Sequence, residues 1–145
     1  MKDYIKWVVV VGFLAFLVFL LVSNQSHNLN KNIKIGGVVL KTELADTVEK
    51  RIQGLSGREV FKEDESMLFI FDFSAKHSFW MRDMNFAIDI IWLDENKEVV
   101  SIQKNAEPSS YPNIFVPTVK ALYVLEVVSG FVEKNNLKVG DKAEF

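Results

Sequence analysis

The chain changes character along its length. Trp7 to Val22, WVVVVGFLAFLVFLLV, is an unbroken apolar run. With Tyr4 and Ile5 included and Lys6 snorkelling, it reaches the ~20 residues that cross a bilayer core. It has no polar stripe of the kind a core helix shows. Residues 1–22 therefore predict one transmembrane helix. Lys2 and Lys6 precede it and the next lysine is Lys31, so the positive-inside rule puts the N-terminus in the cytoplasm and the rest of the chain outside the cytoplasmic membrane. Cleavage as a signal peptide after Ser23 would put Leu21 three positions back, where a small residue is required, so the segment reads as an uncleaved anchor. Residues 23–32, SNQSHNLNKN, are polar and read as a linker. His27 lies in it and reads as solvated.

From Ile33 onward the pattern is that of a folded domain of short strands. IKIGGVVLKTELA reads as two strands around Gly36–Gly37. Asp46–Thr47 offers an N-cap for a short helix ending near Gly54. MLFIFDF (Met67 to Phe73) reads as a strand buried on both faces, and HSFWMRDM (His77 to Met84) as another. IDIIWL and EVVSIQ form a hairpin about Asp94 to Lys97. Glu107 to Pro117 holds all three prolines and reads as a loop. LYVLEVV (Leu122 to Val128) is a strand, FVEKNN a short helix, and KVGDKAEF a turn and a last short strand. Many short strands with little helix predict an all-β domain over residues 33–145, a compact antiparallel sandwich or open barrel with minor short helices. Phe69, Phe71, Phe79, Ile90, Trp92, Val124 and Leu125 are its expected core.

Alternation marks two unusual carboxylates. Asp89 shares a strand face with Ile91 and Leu93, and Glu126 shares one with Leu122, Val124 and Val128. An unpaired buried carboxylate is costly, so each needs a partner or a cleft. Arg51, Arg58, Arg82 and His77 are the available partners, with Arg51 or Arg58 expected on Asp89. Together with Trp80 these residues form a candidate polar pocket, or else salt bridges that pin loops to the sheet.

Charge and composition narrow the function classes. The whole chain is at −2, and without residues 1–32 at −4, with no basic stripe, so a nucleic-acid footprint is lacking. There is no cysteine, which excludes disulfides, thiolate catalysis, cysteine metal sites and lipid attachment through cysteine. A lone His77 in the domain is a weak metal signal. No GxGxxG, phosphate loop, HExxH or GxSxG is present. Neither a cofactor nor a metal is expected.

Taken in order, ADTVEKRIQGLSGR (Ala45 to Arg58), MLFIF (Met67 to Phe71), FWMRDM (Phe79 to Met84), IDIIWLDENKEVVSI (Ile88 to Ile102), VLEVVSGF (Val124 to Phe131) and KVGD (Lys138 to Asp141) resemble the bacterial and archaeal family known as domain of unknown function 192. The resemblance covers about Ile35 to Phe145. It implies a compact β-rich domain, often secreted or membrane-tethered, and carries over no activity. Ser56 stands where the family usually has Met, and Ala87 where it has Pro. The matching positions pick out Arg51, Arg58, Trp80, Arg82, Asp89 and Glu126. The resulting expectation is a membrane-tethered binding or interaction module of the cell envelope, with a charged envelope ligand or a protein as partner. Two other readings stand beside it. One is an envelope hydrolase with Asp89 and Glu126 as acid and base, and the other is a structural accessory subunit of a membrane protein.

Overall fold

The computed structural model describes residues 31–145. The expected anchor at residues 1–22, and the linker but for its last two residues, lie outside the described residues. Eight strands and two short helices follow: β1 (Lys31–Ile35), β2 (Val38–Ala45), α1 (Val48–Gln53), β3 (Glu65–Ala75), β4 (Phe79–Trp80), β5 (Ile88–Leu93), β6 (Val99–Ala106), β7 (Ile114–Phe115), β8 (Ala121–Val128) and α2 (Phe131–Lys134). Six strands form one sheet in the order β1-β2-β3-β8-β5-β6, and β4 and β7 form a separate two-stranded ribbon.

Local chemistry sets the connections. Gly36 and Gly37 both have positive φ, +59° and +79°, which a two-residue hairpin turn requires and glycine supplies without strain. Thr47 caps α1 by accepting from the Lys50 N–H at 3.3 Å, and Gly54 ends the helix. Asp94 Oδ1 accepts from the N–H groups of Asn96 and Glu98, closing the β5–β6 turn.

The mostly-β, open architecture agrees with the sequence, but one part of the expected fold needs correction. The sheet is not wholly antiparallel: β2 and β3 run parallel, with Glu43 beside Met67 and Ala45 beside Phe69. A parallel pair needs a crossover, and α1 with the loop after it supplies one. Among the described residues no helix is long and apolar enough to cross a membrane.

The sheet has a core on each face. On the inner face Ile33, Leu40, Leu68, Ile91, Leu93, Leu125 and Val127 pack with Phe131 and Val132 of α2. There the C-terminal tail bonds both to β1, through Lys34 and Glu144, and to the start of β6, through Val99 and Asp141. The two edges of the sheet are thus laced by one segment, and the expected last strand is reduced to isolated pairings. On the outer face Ala45, Met67, Phe69, Ile88, Ile90, Trp92 and Val124 pack under α1 and the β4–β7 ribbon. All six residues of β5 are buried.

Two expected elements shrink. The strand expected over His77 to Met84 is only Phe79–Trp80, paired with β7 alone, and Asp83 takes a left-handed φ of +56°. The proline loop contributes that partner strand and a 3-10 turn at Pro108–Ser110. Of the expected core, Phe69, Ile90, Trp92, Val124 and Leu125 are buried, while Phe71 and Phe79 are half-buried.

Phe69 is 2% exposed and meets Phe79 edge to face at 4.8 Å between ring centres. Phe69→Ala should lower stability by about 3–5 kcal/mol in urea unfolding. A loss below about 1 kcal/mol would contradict this packing.

Candidate functional site

The two inward carboxylates lie on opposite faces of the sheet. On β5, Asp89 stands opposite Val127 and Ile90 opposite Glu126. Side chains alternate, so Glu126 shares the outer face with Ile90 and Trp92, and Asp89 the inner face with Ile91 and Leu93. They cannot act on one substrate as an acid and base pair, which removes the geometry the hydrolase reading requires.

Asp89 is a backbone clamp. Its Oδ1 accepts from the Asn105 N–H and its Oδ2 from the Val132 N–H, both at 2.9 Å. Asn105 has a φ of +48° beside an irregularity in the β5–β6 register, so its N–H is free of the ladder. Val132 lies in the first turn of α2, where N–H groups lack helical partners. The arginine expected on Asp89 is replaced by these two backbone donors, one on each carboxyl oxygen.

Glu126 is in a different state. It is 5% exposed, and its Oε2 has no hydrogen-bond partner among the described residues. Glu43, Met67, Glu126 and Ile90 form a row across β2, β3, β8 and β5. Arg58 grips Glu43 with both terminal nitrogens, at 2.6 and 2.7 Å. Those hydrogen bonds hold the Glu43 carboxyl below its usual range. With its charge committed to Glu43, Arg58 opposes the desolvation of Glu126 only in part, and burial pushes the Glu126 carboxyl up to about 8. Glu126 is therefore mostly protonated at neutral pH.

Above Glu126 lies a cleft of about 290 Å³ between α1, β3 and the ribbon, lined by Val48, Arg51, Ile52, Phe69, Phe71, Ser78, Phe79, Trp80 and Ile114. It shares Arg51, Ile52, Phe69, Phe79 and Trp80 with a small space of about 30 Å³ that Glu126 also lines. Four large apolar residues of the cleft are solvent-exposed: Val48 57%, Ile52 56%, Trp80 46% and Ile114 56%. Clustered exposed apolar side chains mark surfaces that take a partner or ligand. A larger hollow of about 450 Å³, lined by residues of the β2–β3 connection and α2, contains Glu63, Asp64 and Lys134. Their charges are already paired, Lys134 with Glu63 and Asp64 with Lys41.

The other candidates divide between frame and rim. Arg51 Nη1 donates to the carbonyls of Asp46 at 3.0 Å and Ile70 at 2.6 Å, and the guanidinium lies over Phe71. It ties α1 to β3 while lining the cleft. His77 stacks on Phe71 with ring centres 3.5 Å apart and bonds the Phe73 carbonyl through Nε2. Its own carbonyl accepts from Trp92 Nε1 at 2.9 Å, so it secures the base of the ribbon. Arg82 lies over the Trp80 ring at 4.8 Å, and its Nε is buried with no partner among the described residues. The Ser56 hydroxyl donates to the Arg82 carbonyl at 2.8 Å. Among the described residues there is no group of three His, Cys, Asp or Glu side chains that could hold a metal.

Of the apolar rim, sequence reasoning named Trp80 but missed Val48, Ile52 and Ile114, and it also missed Glu43. Val48 and Ile52 are four apart in a helix otherwise made of Glu49, Lys50, Arg51 and Gln53, a stripe visible in the sequence. Ile114 had no such signal, because its place depends on the ribbon.

Residues 31–145 match the DUF192 family, described as uncharacterised ACR. Two similar proteins are UPF0127 proteins of archaea. The one from Pyrococcus furiosus is 31% identical over 111 residues, covering 73% of this chain and 87% of that protein. The one from Pyrococcus abyssi is 32% identical over 123 residues, covering 81% and 94%. A solved structure of a protein of unknown function from Novosphingobium aromaticivorans aligns with a TM-score of 0.73 at 27% identity, covering 80% of this chain and 85% of that one.

Two outcomes follow from the two carboxylates. Asp89→Ala leaves two N–H groups without acceptors and should cost about 2–5 kcal/mol in denaturant unfolding. A cost under about 1 kcal/mol would show that the clamp is not made. Glu126 is raised from 4.5 to about 8 on folding, so between those values the folded state holds the extra proton. Its contribution is full below pH 4.5 and is lost as pH rises through 8. Glu126→Gln should match wild type near pH 4 and exceed it by roughly 3–5 kcal/mol at pH 8. Parallel stability profiles for the two proteins would contradict a neutral Glu126.

Proposed function

The chain belongs to the DUF192 family, and we propose that this member is a binding module of the cell envelope that takes an apolar group of a small ligand into the cleft between α1 and the β4–β7 ribbon. The observation that carries the reading is the exposed apolar rim, Val48, Ile52, Trp80 and Ile114, standing over the buried Glu126. The folded chain gains nothing from leaving four large apolar side chains in water around a concavity, and a ligand that covers them recovers that free energy. At about 290 Å³ the cleft is at the small end of ligand sites, which suits one ring or a short chain. Arg51 and Phe71 form a braced wall, so little ordering is needed on binding.

The reading is tested by titrating the full-length chain with toluene and following the Trp80 indole and the Ile52 and Ile114 methyl resonances. All three should shift saturably, and Ile52→Glu should abolish the shifts without unfolding the domain. Shifts scattered over the surface, or unchanged in Ile52→Glu, would overturn it.

Residence on the outer side of the cytoplasmic membrane rests on the composition and lysine placement of residues 1–32. Protease added to intact spheroplasts should remove the domain, and full protection would place it inside.

A further inference from the structure

We propose that the ligand of this cleft has an uncharged carbonyl group at the end of its apolar body, and that the carbonyl oxygen accepts a hydrogen bond from the Glu126 carboxyl. The inference rests on the cleft reading above and adds the chemistry of the ligand's polar end.

Three observations carry it. Glu126 is 5% exposed and its Oε2 has no partner among the described residues. A buried polar atom left in that state costs free energy, so a group absent from the folded chain itself should complete it. Glu126 lines a space of about 30 Å³ whose other walls include Ile52, Phe69, Phe79 and Trp80 of the cleft, so a ligand in the cleft can extend a compact group into it. That space is about the size that holds a water molecule or one small polar group.

The surrounding charges decide what kind of polar end fits. Of the charged groups on the elements packed about Glu126, Arg58 acts on it directly, Arg51 lines the same small space, Glu43 and Glu65 act on Arg58, Asp89 points to the opposite face, and Arg82, after β4, lines neither space. Arg58 is gripped by Glu43, and Arg51 Nη1 by two carbonyls. The nearest cross-strand neighbours, Met67 and Ile90, are apolar. A cationic head would meet the charges of Arg51 and Arg58, and an anionic head would lose its hydration beside two arginines already bonded to backbone carbonyls and to Glu43. An uncharged end avoids both costs. The buried carboxyl is protonated at neutral pH, so what it lacks is an acceptor for its O–H, and a carbonyl oxygen is a compact acceptor.

The test compares 2-hexanone, hexanoate, hexylamine and toluene on the full-length chain at pH 6 and pH 9.5, read by the Trp80 indole resonance. At pH 6, 2-hexanone should bind more tightly than the two charged probes. Its affinity should fall roughly thirtyfold by pH 9.5, because only the protonated fraction is competent. Glu126→Gln, whose amide N–H still donates, should bind 2-hexanone with no such pH dependence, and Glu126→Leu should lose the preference for 2-hexanone over toluene. Tighter binding of hexanoate or hexylamine would overturn the uncharged end. If 2-hexanone binds no better than toluene, or binds alike in wild type and Glu126→Leu, the space belongs to a structural water and the inference falls while the cleft reading stands. If neither toluene nor 2-hexanone binds, both fall.

Discussion

Water is shut out from both faces of the sheet's central strands, and the rest of the structure accommodates that fact. β5 is buried at every position, and β8 beside it is buried from Val124 to Val127. A carboxylate on such a strand has no hydration to fall back on. The two that occur there meet the constraint in different ways. Asp89 accepts two backbone N–H groups, and in doing so fixes the end of β6 and the start of α2 on the inner face. Glu126 receives no such donors and is held neutral instead. One acid is therefore part of the frame, and the other is left with unused bonding capacity.

That capacity is useful only because of what the chain builds over the outer face. The parallel β2–β3 pair requires a crossover, and α1 in that crossover places Arg51 and Ile52 beside Phe69 and Phe71. The ribbon supplies the opposite wall, with Phe79 packed against Phe69 and Trp92, and Trp80 turned out to solvent. His77 and Arg51 anchor these two walls to the sheet through carbonyls of β3. The Arg58–Glu43 pair completes the arrangement from the side. By committing its charge to Glu43 it leaves Glu126 without a full counter-charge.

Much of this was legible in the sequence where the determinants are local. The Gly36–Gly37 turn, the Thr47 cap and the β5–β6 hairpin follow from residues close in the chain. Strand alternation likewise showed that Asp89 and Glu126 point inward. What it could not show is that they point to opposite faces, since that depends on how β5 and β8 are set against each other. The parallel β2–β3 pair was missed because strand direction is fixed by the crossover and by sheet order, not by residues within either strand. Asp89 was expected to pair with an arginine because side-chain charges are visible in a sequence. The backbone N–H groups of Asn105 and Val132 become free donors only through a left-handed φ and a helix start.

The central claim is that Glu126 sits neutral and without a partner under the cleft. It is tested most directly by labelling the glutamate side-chain carboxyl carbons in the full-length chain, assigning Glu126 through its loss in Glu126→Gln, and titrating by NMR. The account predicts a single midpoint near 8 for Glu126, with Glu43 titrating below the ordinary 4.5. A Glu126 midpoint at or below 4.5 would mean that the carboxyl is solvated or paired, and would contradict the account.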